Sequence, residues 1–396
     1  MMFLVGSRVV RLAVRLAIVC GCAAILFPLG CADLNSDNGG GTGGAGGGVP
    51  DATWVVTADW LNQSLTLLDY DRLVDGTSTA EDAIIRTIDL SEWEPGPIEL
   101  ELTPDGQTAV VAVGPGFFDG TGLTNMIVGS PNVPPGGTLL VVDLTTGDAQ
   151  SIETEDVPMG IAISPDGMLA YTANYGTTAE RGDTLSIIDL TTRTVLEELS
   201  VGSGPEQVVL SPDGTLGAIN VASEGGIRVF ETSDVAGTLT EIIATGSDPS
   251  DLAFLGDNAR LLVANSQTLS VSLVDTTLPS TPVVLDDRFV QGGAPYGLTY
   301  VPSRGTVLAP TNPVSPALAA SLVTITVDTD ALTPSQAEPL PGGPFVLTAA
   351  VDAAGGFAFA AHVADRQLSI IDLETGAARG ISWLSEPGPT YVAVQR

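Results

Sequence analysis

Short segments in which apolar and polar residues alternate recur from residue 51 to the C-terminus, with Gly, Pro, Asp and Thr clustered between them. The clearest unit, at 157–202, reads VPMGIAIS, PDG, MLAYTANYG, a loop, TLSIIDL, TTR and TVLEELSVG. The period of two and the β-branched content favour strands over helices. One unit therefore consists of four short strands separated by turns.

Related units follow one another along the chain. Most of them open with Gly or Pro before the first strand, as in GPIELELTPDG at 96 and GPEQVVLSPDG at 204. A repeat of about 40–50 residues is typical of propellers and solenoids. A second marker, an acidic residue after apolar residues on the strand interpreted as the third, occurs at Asp89, Asp143, Asp189, Glu231, Asp275, Asp328 and Asp372. Seven markers predict seven units.

The two ends of the repeat region complement each other. ATWVVTAD at 52–59 has the form of a second strand, and the last nine residues, GPTYVAVQR, have the form of an opening strand. Their pairing would complete one four-stranded unit. We therefore expect an all-β fold: a seven-bladed β-propeller of four-stranded antiparallel blades, closed by pairing the C-terminal strand with the first N-terminal strands. Residues 51–396 would form this single domain.

The Pro-Asp-Gly segments are interpreted as hairpin corners. Proline sets φ at the first turn position, and glycine takes the left-handed conformation at the third. Asp105, Asp166 and Asp213 occupy the middle position of three such turns. Because other units keep the hairpin with different residues, we predict a structural role for these aspartates.

One unit also carries a family resemblance. The segment YTAN at 171–174, the Pro-Asp-Gly turns and SIIDL at 186–190 resemble YVTN-type seven-bladed β-propellers, which are relatives of bacterial surface-layer repeats. The resemblance covers residues 51–396 and implies the fold. It implies little about function, because the matching residues are structural.

The first 50 residues differ from the repeats. Residues 1–30 combine three arginines with the apolar stretch LAIVCGCAAILFPLG, which is short for a membrane span and typical of a secretory signal peptide. LGC at 29–31 resembles the lipobox of bacterial lipoproteins, which implies lipidation of Cys31; Cys22 is a second position. Residues 31–50 are Gly-rich and predict a flexible tether.

We therefore expect an exported protein, lipid-anchored to the membrane and facing the periplasm or the cell surface. Ordinary signal cleavage and an uncleaved anchor are the alternatives. All three cysteines lie in the first 31 residues, so the repeats contain neither a disulfide nor a thiol nucleophile. The formal net charge of −33 and the lack of lysine exclude nucleic acid as a partner.

Successive connections of a blade alternate between the two faces of the ring. The Pro-Asp-Gly corners lie on one face, and the loops between second and third strands lie with the blade junctions on the other, called here the insertion-bearing face. Its longest loop, 114–137, has a high apolar content for a loop, at Phe117, Phe118, Met126, Ile127 and Val128. We predict that this loop contacts a protein or a small ligand; packing over the blade is the alternative.

Acidic residues also collect at the junctions of the insertion-bearing face. Carboxylate oxygens are calcium ligands, so these residues are candidates for a calcium site, although no calcium-loop motif is present. Solubilising surface charge is the alternative interpretation. The residues are Glu94, Asp156, Glu206, Asp248, Asp251 and Glu386.

The repeats offer few catalytic groups. His362 is the only histidine, and it aligns with Asn174 and Asn265 at the end of a second strand, which favours a structural role. There is no haem-attachment motif and no recognisable Ser/His/Asp set. We predict a non-catalytic binding module without a cofactor. The alternatives are an enzyme similar to propeller lactonases or quinone-dependent dehydrogenases, and a structural component similar to surface-layer proteins.

Overall fold

The computed structural model describes residues 53–114, 136–177, 179–315, 317–363, 366–383 and 388–395. They form a seven-bladed β-propeller in which each blade is an antiparallel sheet. Six sheets have four strands, and the sixth blade has six because its inner and outer strands are each divided in two. This architecture confirms the predicted fold.

Each blade begins at the propeller axis. The inner strands are β4 (Pro97–Leu102), β8 (Pro158–Ile163), β12 (Val208–Leu210), β16 (Pro249–Phe254), β20 (Ala294–Pro295) with β21 (Thr299–Val301), β26 (Val346–Val351) and β30 (Tyr391–Val394). The second strands are β1 (Trp54–Asp59), β5 (Thr108–Val113), β9 (Leu169–Gly176), β13 (Leu216–Val221), β17 (Arg260–Asn265), β22 (Thr306–Asn312) and β27 (Phe357–His362).

Two further strands complete each blade outward. The third strands are β2 (Ser64–Asp69), β6 (Gly137–Asp143), β10 (Arg181–Asp189), β14 (Gly226–Glu231), β18 (Ser270–Asp275), β23 (Ser321–Asp328) and β28 (Gln367–Asp372). The outer strands are β3 (Ile84–Asp89), β7 (Ala149–Thr154), β11 (Thr194–Ser200), β15 (Ile243–Ala244), β19 (Val283–Phe289), β24 (Ala331–Pro334) with β25 (Glu338–Pro339), and β29 (Ala378–Ser382).

Short helices lie in the connections that the structure describes. They are Trp60–Asn62, Tyr70–Val74, Glu81–Ala83, Ala222–Glu224 and Val235–Thr238. None of the described helices is long and apolar enough to cross a lipid bilayer.

The Pro-Asp-Gly segments form the corners between inner and second strands. In the third blade, Asp166 Oδ1 accepts hydrogen bonds from Ser164 Oγ at 2.6 Å and from the Met168 N–H at 3.0 Å. Gly167 has a φ of +72°, in the left-handed region. Asp105 and Asp213 accept equivalent bonds, so all three aspartates act structurally.

The ring is closed as the sequence predicts. β30 pairs with β1 in antiparallel register, with Val394 opposite Val55 and Tyr391 opposite Ala58. The first blade is therefore built from both ends of the propeller. Trp383 of the last blade packs at this seam, and its Nε1 donates to the Ala80 carbonyl oxygen at 3.0 Å.

One of the seven acidic markers was assigned to the wrong strand. Asp89 ends β3, which is the outer strand of the first blade, and the third strand β2 ends at Asp69. The segment IIRTID ending at Asp89 has the same apolar-then-acidic pattern as a third strand. The number of blades is unaffected, because each blade still has one third strand that ends in an acid.

The apolar core is divided among the blade interfaces. One cluster joins Trp54 and Leu67 of the first blade to Val111 and Leu140 of the second, and similar clusters lie between the other blades. Each inner strand packs against the inner strands of its two neighbours. The inner strands therefore surround the axis, and side chains that leave them toward the axis line a central channel.

Candidate active site in the central channel

Seven residues, one from each blade, occupy equivalent positions on the inner strands. In six blades each lies two residues after a proline at or near the start of the inner strand, and in the other it lies two residues after Val346; Gln207 directly precedes β12, and Gly297 lies between β20 and β21. In the blades where the pairing is recorded, the residue opposite is an alanine of the second strand. This set, called here the channel ring, consists of Tyr391, Glu99, Gly160, Gln207, Asp251, Gly297 and Thr348.

Glu99 reaches from the second blade across the third to the fourth. Its Oε1 accepts a hydrogen bond from the Ile161 N–H at 3.1 Å and another from Gln207 Nε2 at 3.0 Å. Gly160 makes this possible, because a Cβ there would lie 2.2 Å from Gln207 Oε1. Glu99 is 6% exposed. Both of these donors, which belong to the described residues, bind Oε1. Oε2 is therefore left to carry a proton.

Asp251 repeats this arrangement three blades further on. Its Oδ2 accepts a hydrogen bond from the Leu298 N–H of the next blade at 2.6 Å, and its Oδ1 accepts one from the Leu252 N–H at 2.7 Å. The ring residue of the next blade is again a glycine, Gly297, where a Cβ would lie 2.4 Å from the Leu347 carbonyl oxygen. Both oxygens of Asp251 thus have backbone donors, which favours the ionised form.

The two carboxyl groups have raised pKa values. Burial raises the pKa of Glu99 well above its usual range, and the negative charges of Asp251 and Glu101 add to this effect. Burial raises the pKa of Asp251 to about 7, against the two backbone hydrogen bonds, which lower it. The two groups therefore differ: the environment of Glu99 favours its protonated form, and Asp251 lies close to its titration point at neutral pH.

Tyr391 supplies a neutral hydroxyl to the same ring. Burial raises its pKa well above the usual tyrosine range, and the charges of Glu99 and Asp251 contribute. Its hydroxyl group forms a hydrogen bond with Thr348. An acid, a base and a hydroxyl group on one ring, close enough to influence each other's pKa values, are components that proton-transfer catalysis can use.

Only one of the six acids predicted for a calcium site, Asp251, belongs to the channel ring. Glu206 is buried directly before Gln207, and its backbone N–H donates to Asn220 Oδ1 at 2.8 Å. Asp248 lies at the next junction, where its Oδ2 accepts from Ser266 Oγ at 3.0 Å. These acids therefore serve different local roles.

The remaining predicted acids lie further apart. Asp156 lies beside Asp183, whose charge helps to raise its pKa after the larger effect of burial. Glu94 is exposed, and Glu386 lies outside the described residues. Within the described part of the chain, no three His, Cys, Asp or Glu side chains come close enough to hold a metal ion. The calcium site stays a prediction.

Two other sequence predictions fall outside the described residues. These are the lipidation of Cys31 and the contact loop with Phe117, Phe118, Met126, Ile127 and Val128. Both stay predictions.

His362 has the structural role that its alignment favours. It is fully buried at the end of β27, with Nε2 2.7 Å from Ser369 Oγ and Nδ1 3.1 Å from the Gly343 carbonyl oxygen. Burial lowers its pKa to about 4, so it is neutral at physiological pH. Asn265 makes the equivalent bond to Ser272 Oγ at 2.9 Å. The burial of His362 and its hydrogen bonds support the structural role.

Comparisons with known proteins establish the fold. No protein-family model matches the chain, and neither does any curated protein. Among solved structures, a functionally unknown protein from Desulfotomaculum acetoxidans is similar, with a TM-score of 0.66, 15% identity and coverage of 87% of this chain and 99% of that one. The periplasmic gluconolactonase of Pseudomonas aeruginosa gives a TM-score of 0.65 at 15% identity, with the same coverage.

A candidate 6-phosphogluconolactonase from Bacteroides uniformis is similar to the same degree, with a TM-score of 0.66, 14% identity and coverage of 87% of this chain and 99% of that one. Such identities show a shared fold. The prediction that this protein is not an enzyme is nevertheless contradicted by these neighbours, which include a gluconolactonase. From the sequence, Asp251 was interpreted only as a candidate calcium ligand, and Glu99 was not among the candidate site residues.

Proposed function

We propose that the protein is a hydrolase that opens small lactones in its central channel, with Glu99 as general acid and Asp251 as general base. The observation that carries the proposal is a pair of carboxyl groups on the channel ring, Glu99 buried and Asp251 partly buried, each of which accepts a hydrogen bond from a backbone N–H of the next blade. Both have raised pKa values. Their different hydrogen bonds support the different roles. Two donors to one oxygen of Glu99 suit the acid, and a donor to each oxygen of Asp251 suits the base.

The reaction adds one water molecule to the cyclic ester. Asp251 accepts a proton from water as the water oxygen adds to the carbonyl carbon. The ring C–O bond then breaks, and Glu99 gives its proton to the leaving oxygen, which yields an open-chain hydroxy acid. Transfer of the proton from Asp251 to Glu99 through solvent restores the starting state. The Tyr391 hydroxyl is placed in the same ring to stabilise negative charge on the carbonyl oxygen.

Lactones are the substrate class that fits the chain best. Water attack on a cyclic ester needs an acid and a base and no redox cofactor, and gluconolactonase is the named activity of one protein with this fold. The fold alone hosts many activities, so the chemical argument rests on the channel. Substrate would enter from the insertion-bearing face, because the channel ring lies only two residues from the blade junctions.

We further propose that the propeller works outside the cytoplasm on a membrane anchor. The support is the signal-like residues 1–30, Cys31 in a lipobox-like context and the Gly-rich residues 31–50. About 20 such residues span roughly 25 Å as a flexible coil. A tether of this length would keep the channel close to the membrane without fixing its orientation.

The test is hydrolysis of D-glucono-1,5-lactone, followed by acid release and corrected for the spontaneous reaction. Glu99→Gln and Asp251→Asn should each lower kcat by about 100-fold or more, because general acid–base catalysis contributes that much. Glu197→Gln is the matched control, since Glu197 lies exposed on the outer strand β11. The proposal fails if the wild-type protein does not exceed the spontaneous rate, or if both channel variants keep full activity.

A further inference from the structure

Gln207 holds the carboxyl group of Glu99 with a side chain that is itself fixed. Its Nε2 donates to Glu99 Oε1 at 3.0 Å, and its Oε1 accepts a hydrogen bond from the Val208 N–H at 3.0 Å. The second bond determines which end of the amide faces Glu99, because a backbone donor occupies the oxygen. Gln207 is buried, so it has little room to move.

Asn220 fixes the backbone of Gln207 from the second strand of the same blade. It lies opposite Gln207, one pair beyond Val208 and Ile219, where the blades with a recorded pairing have alanine. The Oδ1 of this fully buried residue accepts from the N–H of Gln207 at 2.7 Å and from that of Glu206 at 2.8 Å. Its own N–H donates to the Gln207 carbonyl oxygen at 3.1 Å.

The other end of the Asn220 amide contacts the strand that carries the base. Its Nδ2 donates to the carbonyl oxygen of Pro249, in the fifth blade, at 2.7 Å. Pro249 opens β16 two residues before Asp251. One buried amide therefore binds both the residue that holds Glu99 and the strand that bears Asp251.

Other blade junctions show that such links hold the inner strands in place. At each of them a buried side chain donates to the carbonyl oxygen of a residue at or near the start of the next inner strand. The pairs are Ser250 with Pro295, Asn312 with Val346, and Thr390 with Pro97. Asn220 differs because its oxygen also binds the backbone of the residue that contacts Glu99.

We propose that Asn220 is a positioning residue that fixes the acid Glu99 and the base Asp251 relative to each other; the inference rests on the proposed function. β12 has only three residues and Gln207 lies just before it, so the regular strand holds Gln207 weakly. The Asn220 amide supplies the missing bonds. Accurate placement matters, because a displacement of about 1 Å can cost about 100-fold in rate.

The test is Asn220→Ala in the full-length protein, with Asn174→Ala as the matched control. Alanine occupies the equivalent position in other blades, so the fold accommodates it. Asn174 is also fully buried, and its amide accepts from Thr172 Oγ1 at 2.9 Å and donates to Thr184 Oγ1 at 3.0 Å and Ser186 Oγ at 2.7 Å. These three partners all belong to the third blade, so the control loses similar bonds without disturbing the acid or the base.

The variants should differ in activity more than in stability. The kcat for D-glucono-1,5-lactone, corrected for the spontaneous reaction, should fall by about tenfold or more in Asn220→Ala and by less than about twofold in Asn174→Ala. Melting temperatures of both variants report the structural loss.

The alkaline limb of kcat/KM against pH should also move to higher pH in Asn220→Ala alone. The hydrogen bond from Gln207 lowers the pKa of Glu99, so a displaced Gln207 leaves that pKa higher and the acid protonated to higher pH. Asp251, Glu101 and the Ile161 N–H also act on this pKa, and none of them is changed in either variant. A loss of stability alone would not move this limb.

Equal losses of kcat in the two variants, or an alkaline limb that stays in place in Asn220→Ala, would overturn the inference. If the alanine variant does not fold, Asn220→Ser, whose side chain is too short to bind both partners, takes its place under the same criteria.

The pKa of Glu99, measured without substrate, separates this failure from failure of the proposed function. It is obtained by NMR from the carboxyl carbon of isotope-labelled glutamate, assigned with Glu99→Gln. A higher pKa in Asn220→Ala but not in Asn174→Ala, in a protein without lactone hydrolysis, would support the positioning role and refute the hydrolase. The same pKa in wild type and both variants would refute the positioning role.

Discussion

Replacement of Asp251 by asparagine should make the protein more stable at alkaline pH while it removes activity. The pKa of Asp251 is about 7 in the folded protein, against an ordinary value of 3.8. A group whose pKa is raised by folding contributes stability that is present at low pH and is lost as the pH rises through the folded value. The ionised carboxylate in the channel therefore destabilises the fold above about pH 7.

The magnitude follows from the two pKa values. One pKa unit corresponds to about 1.36 kcal/mol, so the full difference is about 4 kcal/mol. Near pH 4.5 Asp251 is already largely ionised in the unfolded chain, and the free energy of unfolding of the wild type has already fallen by about 1 of these 4 kcal/mol. The free energy of unfolding of Asp251→Asn, relative to wild type, should therefore rise by about 3 kcal/mol between about pH 4.5 and pH 8.

Urea denaturation at both pH values provides the measurement. Wild type and variant share the other titrating groups, including His362, so the difference between them reports Asp251 together with its electrostatic effect on Glu99 and Tyr391. Glu197→Gln serves again as the control and should show no such change, since its side chain is exposed. A difference between Asp251→Asn and wild type that is the same at both pH values would refute the burial of an ionisable group in the channel.

Two further predictions concern the geometry of the ring. Gly160→Ala should lower kcat by about tenfold and destabilise the fold by about 1–3 kcal/mol, because the new Cβ would lie 2.2 Å from Gln207 Oε1 and would displace Gln207. Gly356→Ala is the control. A Cβ there would lie 3.5 Å from the nearest atom, so kcat should change little. Deletion of residues 391–396 should lower the free energy of unfolding by about 4 kcal/mol or more, because it exposes the seam covered by the buried Val392 and Val394; an unchanged urea midpoint would contradict ring closure.

The blades could be predicted from sequence because their determinants are local. A Pro-Asp-Gly corner and the alternating residues beside it specify a hairpin within about 20 residues. The closure was predictable because a lone second strand at one end and a lone inner strand at the other complete one sheet. Asp89 was misassigned because outer strands can carry the same apolar-then-acidic pattern as third strands.

The channel site was harder to predict because it is assembled from seven distant segments. In GPIELELTPDG, Glu99 and Glu101 alternate with apolar residues and look like the solvent face of a strand. Only the closed ring turns that face toward the axis. A signal was nevertheless present: the second residue after each opening proline includes two acids, a tyrosine and two glycines, and comparison of the repeats at that position would have selected Glu99 and Asp251.

The pH dependence of lactone hydrolysis tests the central claim most directly. If Asp251 is the base and Glu99 the acid, kcat/KM for D-glucono-1,5-lactone, corrected for the spontaneous reaction, should rise through an apparent pKa near 7 and fall again at higher pH, where Glu99 loses its proton. Asp251→Asn should abolish the rising limb together with the activity. A wild-type profile that stays flat from about pH 5 to pH 8 would contradict the assignment of the channel carboxyl groups as the catalytic pair.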